Sequence, residues 1–270
     1  MKSLVVNHCT ITPVRQEPSE GSEQLTQLLF GEVCEVLDRL PRWTKIRSTT
    51  DGQEGWVDFK MLSPADNLSH ITYHLPSILV AAPIAVATEK EPGYEMILTL
   101  GTRLPNYTHG TFEVLGKQYL IDPACVNTSL PTLSMTNHLQ RTDLITIAQS
   151  LLNTPYLWGG KNTMGMDCSG FTQVVYSVFG VNLLRNAREQ ITQGEVVASL
   201  AEAQPGDLAF FDHADRDPQA TNISHVGLLL DNKKIIHCSG CVHVDNINEM
   251  GILLPDGSLT HHLVQIRRYL

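Results

Sequence analysis

The chain has 270 residues, of which 42% are hydrophobic and 17% charged, and its formal net charge at pH 7 is −9. This length allows one to three domains, and the composition is that of a globular protein without a membrane-spanning run. Because the net charge is negative, nucleic acids and other polyanions are disfavoured as partners. We therefore predict no nucleic-acid or membrane partner, and we expect a monomer.

The N-terminal residues and the cysteines bear on the cell compartment. Residues 1–12, MKSLVVNHCTIT, carry one lysine and a short apolar run that Asn7 and His8 interrupt, which is not the pattern of a secretory signal. The six cysteines give no compact disulfide framework in a chain this large, so we predict reduced thiols. The expected location is the cytoplasm; removal of a precursor segment ahead of residue 1 would make it periplasmic or secreted.

Short β-like runs fill the first part of the chain. In residues 4–63 they include QLLFGEVCEVL, WTKIRS and DGQEGWV. Closely spaced runs of this kind predict a small barrel, and their order resembles the bacterial SH3-like domains. We assign residues 1–65 to this domain, and residues 66–130, with the runs SILVAAPIAVA, MILTLGTRLPNY and TFEVLGKQYLI, to a second SH3-like domain. Residues 127–140 are polar and contain a proline, so they are predicted to be a linker.

Residues 131–270 are predicted to form an α+β domain with helices packed on an antiparallel sheet. A first helix is expected to begin at Thr142 or Asp143, because apolar residues follow at positions 144, 147, 148, 151 and 152. A short helix is expected in NAREQITQ, residues 186–193. The predicted strands are LAFF, HVGLLL, KKIIHC and HLVQIRRYL.

Cys168 is predicted to begin a helix. Apolar residues follow it at positions 171, 174, 175, 178 and 179, which is the spacing of a helix with one buried face, and Gly180 ends it. Asp167 can cap this helix, so the thiol lies in the first turn, where backbone N–H groups and the helix dipole favour an anion. Such a setting lowers the pKa of a thiol, and it predicts a nucleophile.

Two histidines about sixty residues later can supply a base. His225 opens an apolar run, Asp231 and Asn232 make a turn, and His237 lies on the returning run, so the segment predicts a β-hairpin. If the hairpin loop has an odd number of residues, both histidines project from one face of the sheet. A cysteine, a histidine that takes its proton and a second polar group that orients the histidine form the general arrangement of nucleophilic catalysis.

The sequence CSGC at Cys238 to Cys241 suggests a different chemistry, because His237 and His243 flank it. As a zinc site it lacks a convincing second pair of ligands at short spacing. As a redox dithiol it lacks the usual context of a strand followed by a helix. We therefore interpret both cysteines as packing residues, and we predict neither a metal nor any other cofactor.

Five blocks resemble the NlpC-type, papain-like cysteine peptidases that cut bacterial cell-wall peptides, and they occur in the order found in that family. The blocks are PYLWGG (155–160), DCSGF (167–171), QPGDLAFF (204–211), SHVGLLL (224–230) and IIHCSG (235–240). The resemblance implies that Cys168 is the nucleophile, His225 the base and His237 the third catalytic residue. It also implies that Tyr156 contributes near the oxyanion.

The resemblance also suggests a substrate. Family members with N-terminal SH3-like domains cleave between γ-D-glutamate and the following diamino acid in free murein stem peptides with an unblocked N-terminal L-alanine. By this resemblance the substrate-binding residues are Asp167, Trp158, Ser169 and Glu23, with Asp167 and Glu23 as carboxylates for the ammonium group. The chain departs from the family at Gln53, where relatives often have tyrosine.

Other interpretations stay open at the level of sequence. Each residue could be structural: Cys168 a buried packing thiol, the histidines half-buried polar residues, Tyr156 and Trp158 core aromatics, Glu23 a solvated surface residue. The same catalytic residues could serve a secreted endopeptidase acting on intact peptidoglycan, or an acyltransferase or amidase. A non-catalytic module that binds peptides is the remaining alternative.

Overall fold

The structure, a computed structural model, describes residues 3–65, 78–127, 137–213 and 222–270. It divides into two compact units. The first unit comprises residues 1–130 together with residues 158–163, and the second comprises residues 131–157 and 164–270. Among the described residues, no helix has the length and apolar character needed to cross a bilayer.

The beginning of the first unit is an antiparallel sheet. Its strands in residues 3–65 are β1 (Leu4–Asn7), β2 (Ile11–Arg15), β3 (Gln24–Leu29), β4 (Val33–Arg39), β5 (Trp43–Ser48), β6 (Glu54–Asp58) and β7 (Leu62–Pro64). They are arranged in the order β3-β2-β6-β5-β4-β1-β7. Alternate residues of these strands point into a core that includes Val14, Leu28 and Ile46, so the short β-like runs of the sequence are confirmed as strands.

The rest of the first unit contains two smaller sheets. The strands are β8 (Ile78–Val80), β9 (Ile84–Glu89), β10 (Glu95–Thr99), β11 (Arg103–Leu104), β12 (Thr111–Val114), β13 (Lys117–Ile121) and β14 (Val126–Asn127). One hydrophobic cluster joins Val6 and Phe30 of the first sheet to Val80, Leu98 and Phe112 of this region. The boundary between two SH3-like domains at residues 65 and 66 stays a prediction, and residues 66–77 lie outside the described residues.

The second unit contains the helices α1 (Asn137–Ser150), α2 (Cys168–Ser177) and α3 (Ala187–Gln190). Strand β15 (Lys161–Asn162) lies in the segment that belongs to the first unit. The described strands of the second unit are β16 (Gly165–Met166), β17 (Glu195–Val197), β18 (Leu208–His213), β19 (His225–Leu229), β20 (Lys234–Ser239), β21 (Cys241–Asn248), β22 (Gly251–Leu253) and β23 (Leu259–Arg268). The strands β23-β18-β19-β20-β21-β22 are neighbours in this order, and β22 also pairs with β23. The sheet therefore closes on itself, and β17 pairs with the C-terminal end of β23.

The predicted α+β fold is wrong, because far more of the described residues lie in strands than in helices. The sequence analysis did not recognise β21 and β22 as strands, and these two close the sheet into a barrel that helices do not cover as a layer. The third predicted helix is also shorter than expected, with one turn from Ala187 to Gln190. The first helix begins at Asn137, so Thr142 and Asp143 lie inside it rather than at its start.

A short segment of the C-terminal sequence, residues 158–163, belongs to the first unit. Its Lys161 ammonium donates to both carboxylate oxygens of Glu32, at 2.8 and 3.1 Å, and both side chains are buried. The amide oxygen of Gln27 accepts hydrogen bonds from the Lys161 backbone N–H and from the Asn162 side chain. A buried ion pair with additional polar partners therefore holds this segment to the first unit.

The Lys161–Glu32 ion pair gives a test of this attachment. Replacing Lys161→Met leaves a buried carboxylate without a counter-charge, so the free energy of unfolding should fall by about 3–5 kcal/mol. The double variant Lys161→Met/Glu32→Leu removes both charges and should recover most of that loss. Lys45→Met is the matched control, since its pair with Glu54 is exposed and worth at most about 1 kcal/mol. Urea unfolding curves measure all three, and equal midpoints for the two lysine variants would contradict the structural role.

Candidate functional site

Cys168 begins helix α2, as the sequence predicts. The carboxylate of Asp167 accepts a hydrogen bond of 2.7 Å from the backbone N–H of Gly170, which is the expected N-cap. The apolar face of the helix is buried at Phe171 and Val175, and the described helix ends at Ser177, three residues before Gly180. The helix is thus fixed in the core, and its first residue carries the thiol.

The pKa of the Cys168 thiol is not lowered, contrary to the expectation from its place in the helix. Burial, followed by the negative charge of Asp167, raises this pKa to about 12. Hydrogen bonds from the backbone of Val226 and Ser169, together with the charge of Arg185, lower the pKa, but by less than burial and Asp167 raise it. At neutral pH the thiol is therefore protonated, and it can become a thiolate only by giving its proton to a base nearby.

His225 and His237 lie on the same face of the predicted hairpin, which is confirmed as the pair β19 and β20. Gly227 pairs with His237, and five residues separate the last paired positions Leu229 and Ile235, so the odd spacing is met. The Nε2 atom of His225 lies 2.8 Å from the Nδ1 atom of His237, and both side chains are buried. The backbone of Val226 binds the Cys168 sulfur, so the base directly precedes a residue in contact with the nucleophile.

Asp245 is a further member of this arrangement that the sequence analysis missed. Its Oδ2 atom lies 3.1 Å from Nε2 of His237, and the register of β20 and β21 places it on the strand beside that histidine. The pKa of Asp245 is lowered, first of all by the hydrogen bond from His237. Alternation in CVHVDNIN, with His243 and Asp245 on one face, is the signal that could have identified this residue.

The carboxylate of Asp245 fixes the tautomers of both histidines. Because it can only accept, His237 carries its proton on Nε2 and presents the Nδ1 lone pair to His225. His225 then donates through its Nε2–H, which leaves Nδ1 as the atom that takes the thiol proton. Burial lowers the pKa of His237, so this ring is neutral at neutral pH, as the relay requires.

Contacts with two aromatic rings also hold the His225 ring in place. The ring of His261 on β23 stacks on it with 4.5 Å between the centroids and 30° between the planes. The ring of Phe211 on β18 lies 6.1 Å from it. Neither residue was predicted: Phe211 is paired with His225 across β18 and β19, and His261 approaches through the pairing of β23 with β18.

Arg185, another residue that the sequence analysis did not identify, is fully buried beside the start of α2. Its two terminal nitrogens donate to the two oxygens of Asp167 at 3.0 and 2.6 Å, and one of them also donates to the Ser169 hydroxyl at 2.9 Å. A planar guanidinium fits a carboxylate in this two-pronged way. The predicted binding residues Asp167 and Ser169 are thus brought together with a buried cation in the second unit.

Tyr156 lies beside the helix terminus that carries Cys168. Its backbone N–H donates to the carbonyl of Gly240, and it forms an isolated bridge with Met166. The pKa of its phenol is raised, first by burial and then by the charges of Cys168 and Asp167. The hydroxyl therefore remains a hydrogen-bond donor near the nucleophile, and the predicted role of Tyr156 at the oxyanion stays a prediction.

Trp158 and Glu23 are brought together within the first unit. The indole Nε1–H of Trp158 donates to the Glu23 carboxylate at 2.7 Å, and the Gln24 amide donates to the Trp158 carbonyl at 2.9 Å. Trp158 is 60% exposed, so it is not a core aromatic. Gln53, at the position of the expected tyrosine, donates to the Glu54 carbonyl. The roles of Trp158 and Glu23 in substrate binding stay predictions.

Comparison with known proteins gives two family matches. Residues 153–265 match the NlpC/P60 family, and residues 12–63 match the bacterial SH3 domain. The second match covers most of the first sheet, from β2 to β7, and the first contains Cys168, His225 and His237. The predicted kinship is confirmed for both parts of the chain.

Similar proteins extend this kinship over most of the chain. Dipeptidyl-peptidase 6 of Lysinibacillus sphaericus is 33% identical over 249 residues, which are 87% of each chain. A γ-D-glutamyl-L-lysine dipeptidyl-peptidase of Bacillus cereus is 28% identical over 227 residues, 78% of this chain but only 66% of that protein. The crystal structure of an NlpC/P60 family protein from Bacillus cereus has the same fold, with a TM-score of 0.81, 21% identity and coverage of 99% and 100% of the two chains.

The reactivity of Cys168 tests the role of Asp245. Asp245→Ala removes the acceptor that fixes the His237 tautomer, so alkylation of Cys168 by iodoacetamide at pH 7 should slow about tenfold or more, since a hydrogen bond to a charged group is worth about 1.5–3 kcal/mol. Asp245→Asn keeps an acceptor oxygen and should be affected less. Peptide mapping by mass spectrometry isolates the rate of Cys168 from the other thiols. Asp256→Ala, in an exposed loop, is the control, and an equal rate in both alanine variants would exclude the positioning role.

Proposed function

Because the chain belongs to the NlpC/P60 family and is a cysteine peptidase, we propose that it hydrolyses the γ-D-glutamyl bond to the diamino acid in murein stem peptides. The products are L-Ala-γ-D-Glu and the rest of the peptide. The observation that carries the proposal is the hydrogen bond between His225 and His237 next to Cys168. Relatives named as γ-D-glutamyl-L-lysine dipeptidyl-peptidases support the choice of the bond.

The proposed reaction starts with transfer of the Cys168 proton to Nδ1 of His225. The positive charge that develops on this ring is stabilised by His237 and, one hydrogen bond further, by the Asp245 carboxylate. The thiolate attacks the carbonyl carbon of the γ-D-glutamyl bond, and His225 returns the proton to the leaving amine. Water, activated by the same imidazole, then hydrolyses the thioester and restores the free enzyme.

The negative oxygen of the tetrahedral intermediate needs hydrogen-bond donors. The backbone N–H of Cys168 lies in the first turn of α2, where no intrahelical acceptor is available to it. The Tyr156 hydroxyl is the second donor in this proposal, supported by its electrostatic proximity to Cys168. Loss of one such donor typically lowers the rate by about two to three orders of magnitude.

Recognition of a free N-terminal L-alanine is the finer part of the proposal. An ammonium group in a closed cleft is stabilised by a carboxylate, and Asp167 is the carboxylate next to the nucleophile. Arg185 holds Asp167 in one orientation through two hydrogen bonds. The names of the relatives support this part as well, because a dipeptidyl-peptidase releases a dipeptide from a free N-terminus.

A comparison of two substrates tests the function. We expect L-Ala-γ-D-Glu-L-Lys to be cleaved to L-Ala-γ-D-Glu and lysine, and its N-acetylated form to react slower by about two orders of magnitude or more, since blocking the amine leaves buried polar groups unpaired. Mass spectrometry identifies the products. Cys168→Ala should have no measurable turnover with an unchanged circular dichroism spectrum.

Each outcome of this comparison has a distinct meaning. Turnover by Cys168→Ala would exclude the cysteine mechanism. Equal cleavage of both peptides would exclude recognition of the free amine, and release of fragments from intact peptidoglycan instead of free peptides would favour a wall-remodelling endopeptidase.

The cytoplasm is the location we propose for this activity. A role in recycling peptides that have already been released from the wall would place the enzyme where those peptides are taken up. The six free cysteines fit a reducing compartment. Fractionation of cells followed by immunoblotting would contradict the proposal if the protein were found outside the cytoplasmic fraction.

A further inference from the structure

We propose that His237, His243 and Asp245 form a Zn²⁺ site behind the catalytic histidines, and that metal bound there inhibits the enzyme. The ligand atoms of these three residues lie within 4.8 Å of one another. The Nε2 atoms of His237 and His243 each lie 3.1 Å from the same oxygen, Oδ2 of Asp245. Two imidazole nitrogens and a carboxylate oxygen are a donor set that suits Zn²⁺.

Two of the three distances between ligand atoms fit a tetrahedral zinc ion. With bonds of about 2.0–2.2 Å from zinc to nitrogen and oxygen, neighbouring ligand atoms of a tetrahedron lie about 3.3 Å apart. The two observed separations of 3.1 Å between nitrogen and oxygen are close to that value. The separation of the two imidazole nitrogens is at most 4.8 Å, and three protein ligands leave the fourth position for water.

The hydrogen bonds that the two histidines make through Nδ1 favour a metal at Nε2. Nδ1 of His243 lies 2.8 Å from the carbonyl oxygen of Cys241, so it carries the proton and donates it. Its Nε2 is therefore the nitrogen of this ring that faces Asp245 and would bind the ion. Nδ1 of His237 is bound to His225. A hydrogen-bonded second nitrogen on each histidine is the usual support of a metal site.

The site is accessible from one side. The side chain of His243 is 35% exposed and that of Asp245 21%, whereas that of His237 is only 2% exposed. A metal ion can therefore approach from solvent across His243 and Asp245 and reach the inner histidine without passing Cys168.

Metal at this site would change the tautomers of the catalytic histidines. Zinc takes the lone pair of His237 Nε2, and the proton of that nitrogen is released to solvent. Nδ1 of His237 would then take the proton from Nε2 of His225, and Nδ1 of His225 would take up one proton from solvent, so the two rings again hold two protons in all and His237 donates to His225. His225 in turn holds its own proton on Nδ1, so it cannot accept the proton of Cys168. This inhibitory consequence rests on the proposed function, whereas the binding of the metal does not.

Metal binding is measured on the full-length Cys168→Ala protein, which lacks the thiol that could itself bind the ion. Titration with Co²⁺ should give the visible absorption of a four-coordinate site, and Zn²⁺ should displace it. The added substitution His243→Gln should weaken binding at least tenfold. His262→Gln, an exposed histidine on β23, is the matched control and should bind as the parent does. The proposal would be overturned if the Cys168→Ala parent did not bind Co²⁺, or if both glutamine variants bound it equally well.

Inhibition is measured on the active enzyme with a non-chelating reductant. Zn²⁺ should lower peptide cleavage by the otherwise unchanged chain, and a chelator should restore it. In His243→Gln, the half-inhibitory Zn²⁺ concentration should rise at least tenfold when each variant is normalised to its own metal-free rate. An unchanged half-inhibitory concentration would show that zinc acts elsewhere. If no variant cleaves the peptide, the proposed function fails, and the Co²⁺ titration still decides the metal site.

Discussion

The hydrogen bond between His225 and His237 is the contact on which the site depends, and the register of β19 and β20 makes it possible. Gly227 pairs directly with His237, and His225 lies two residues before it on the same face. A Cβ atom on Gly227 would lie 2.8 Å from the Cβ of His237 and 2.7 Å from the Cδ1 of Ile235, too close for either neighbour. The absence of a side chain at this one position therefore lets the imidazole of His237 lie diagonally across the pair and reach His225.

The direction of proton transfer is set from the far end of the chain of hydrogen bonds. Asp245 can only accept, so it fixes the proton of His237 on Nε2, and this in turn fixes the proton of His225 on Nε2. The charge of Asp245, two hydrogen bonds away from the base, thus decides which nitrogen of His225 faces the thiol. The same dependence explains why a cation at Asp245 would act on Cys168 without touching it.

Local sequence patterns predicted the parts of the site that local structure creates. The cap at Asp167, the buried face of α2 and the hairpin of the two histidines follow from spacing over a few residues. Arg185 and His261 reach the site only through the packing of elements distant in sequence, so no local pattern could identify their partners. Asp245 lies on the strand next to His237, and it was missed because that strand was not recognised. The fold class was mistaken because closure of the barrel depends on β21, whose mixed polar sequence gives a weak strand signal, and on β22, which has only three residues.

The competition between two effects at Cys168 explains why the expected low pKa is absent. A helix N-terminus stabilises an anion by about 0.3–1 kcal/mol, and by about 2 kcal/mol at most. A thiol pKa raised from about 9 to about 12 corresponds to roughly 4 kcal/mol in the opposite direction, so burial prevails over the helix. The thiolate must therefore form together with the imidazolium of His225, as a pair. A nucleophile of this kind depends less on the helix that carries it than on the orientation of the histidines beside it, which is the part of the site that the barrel provides.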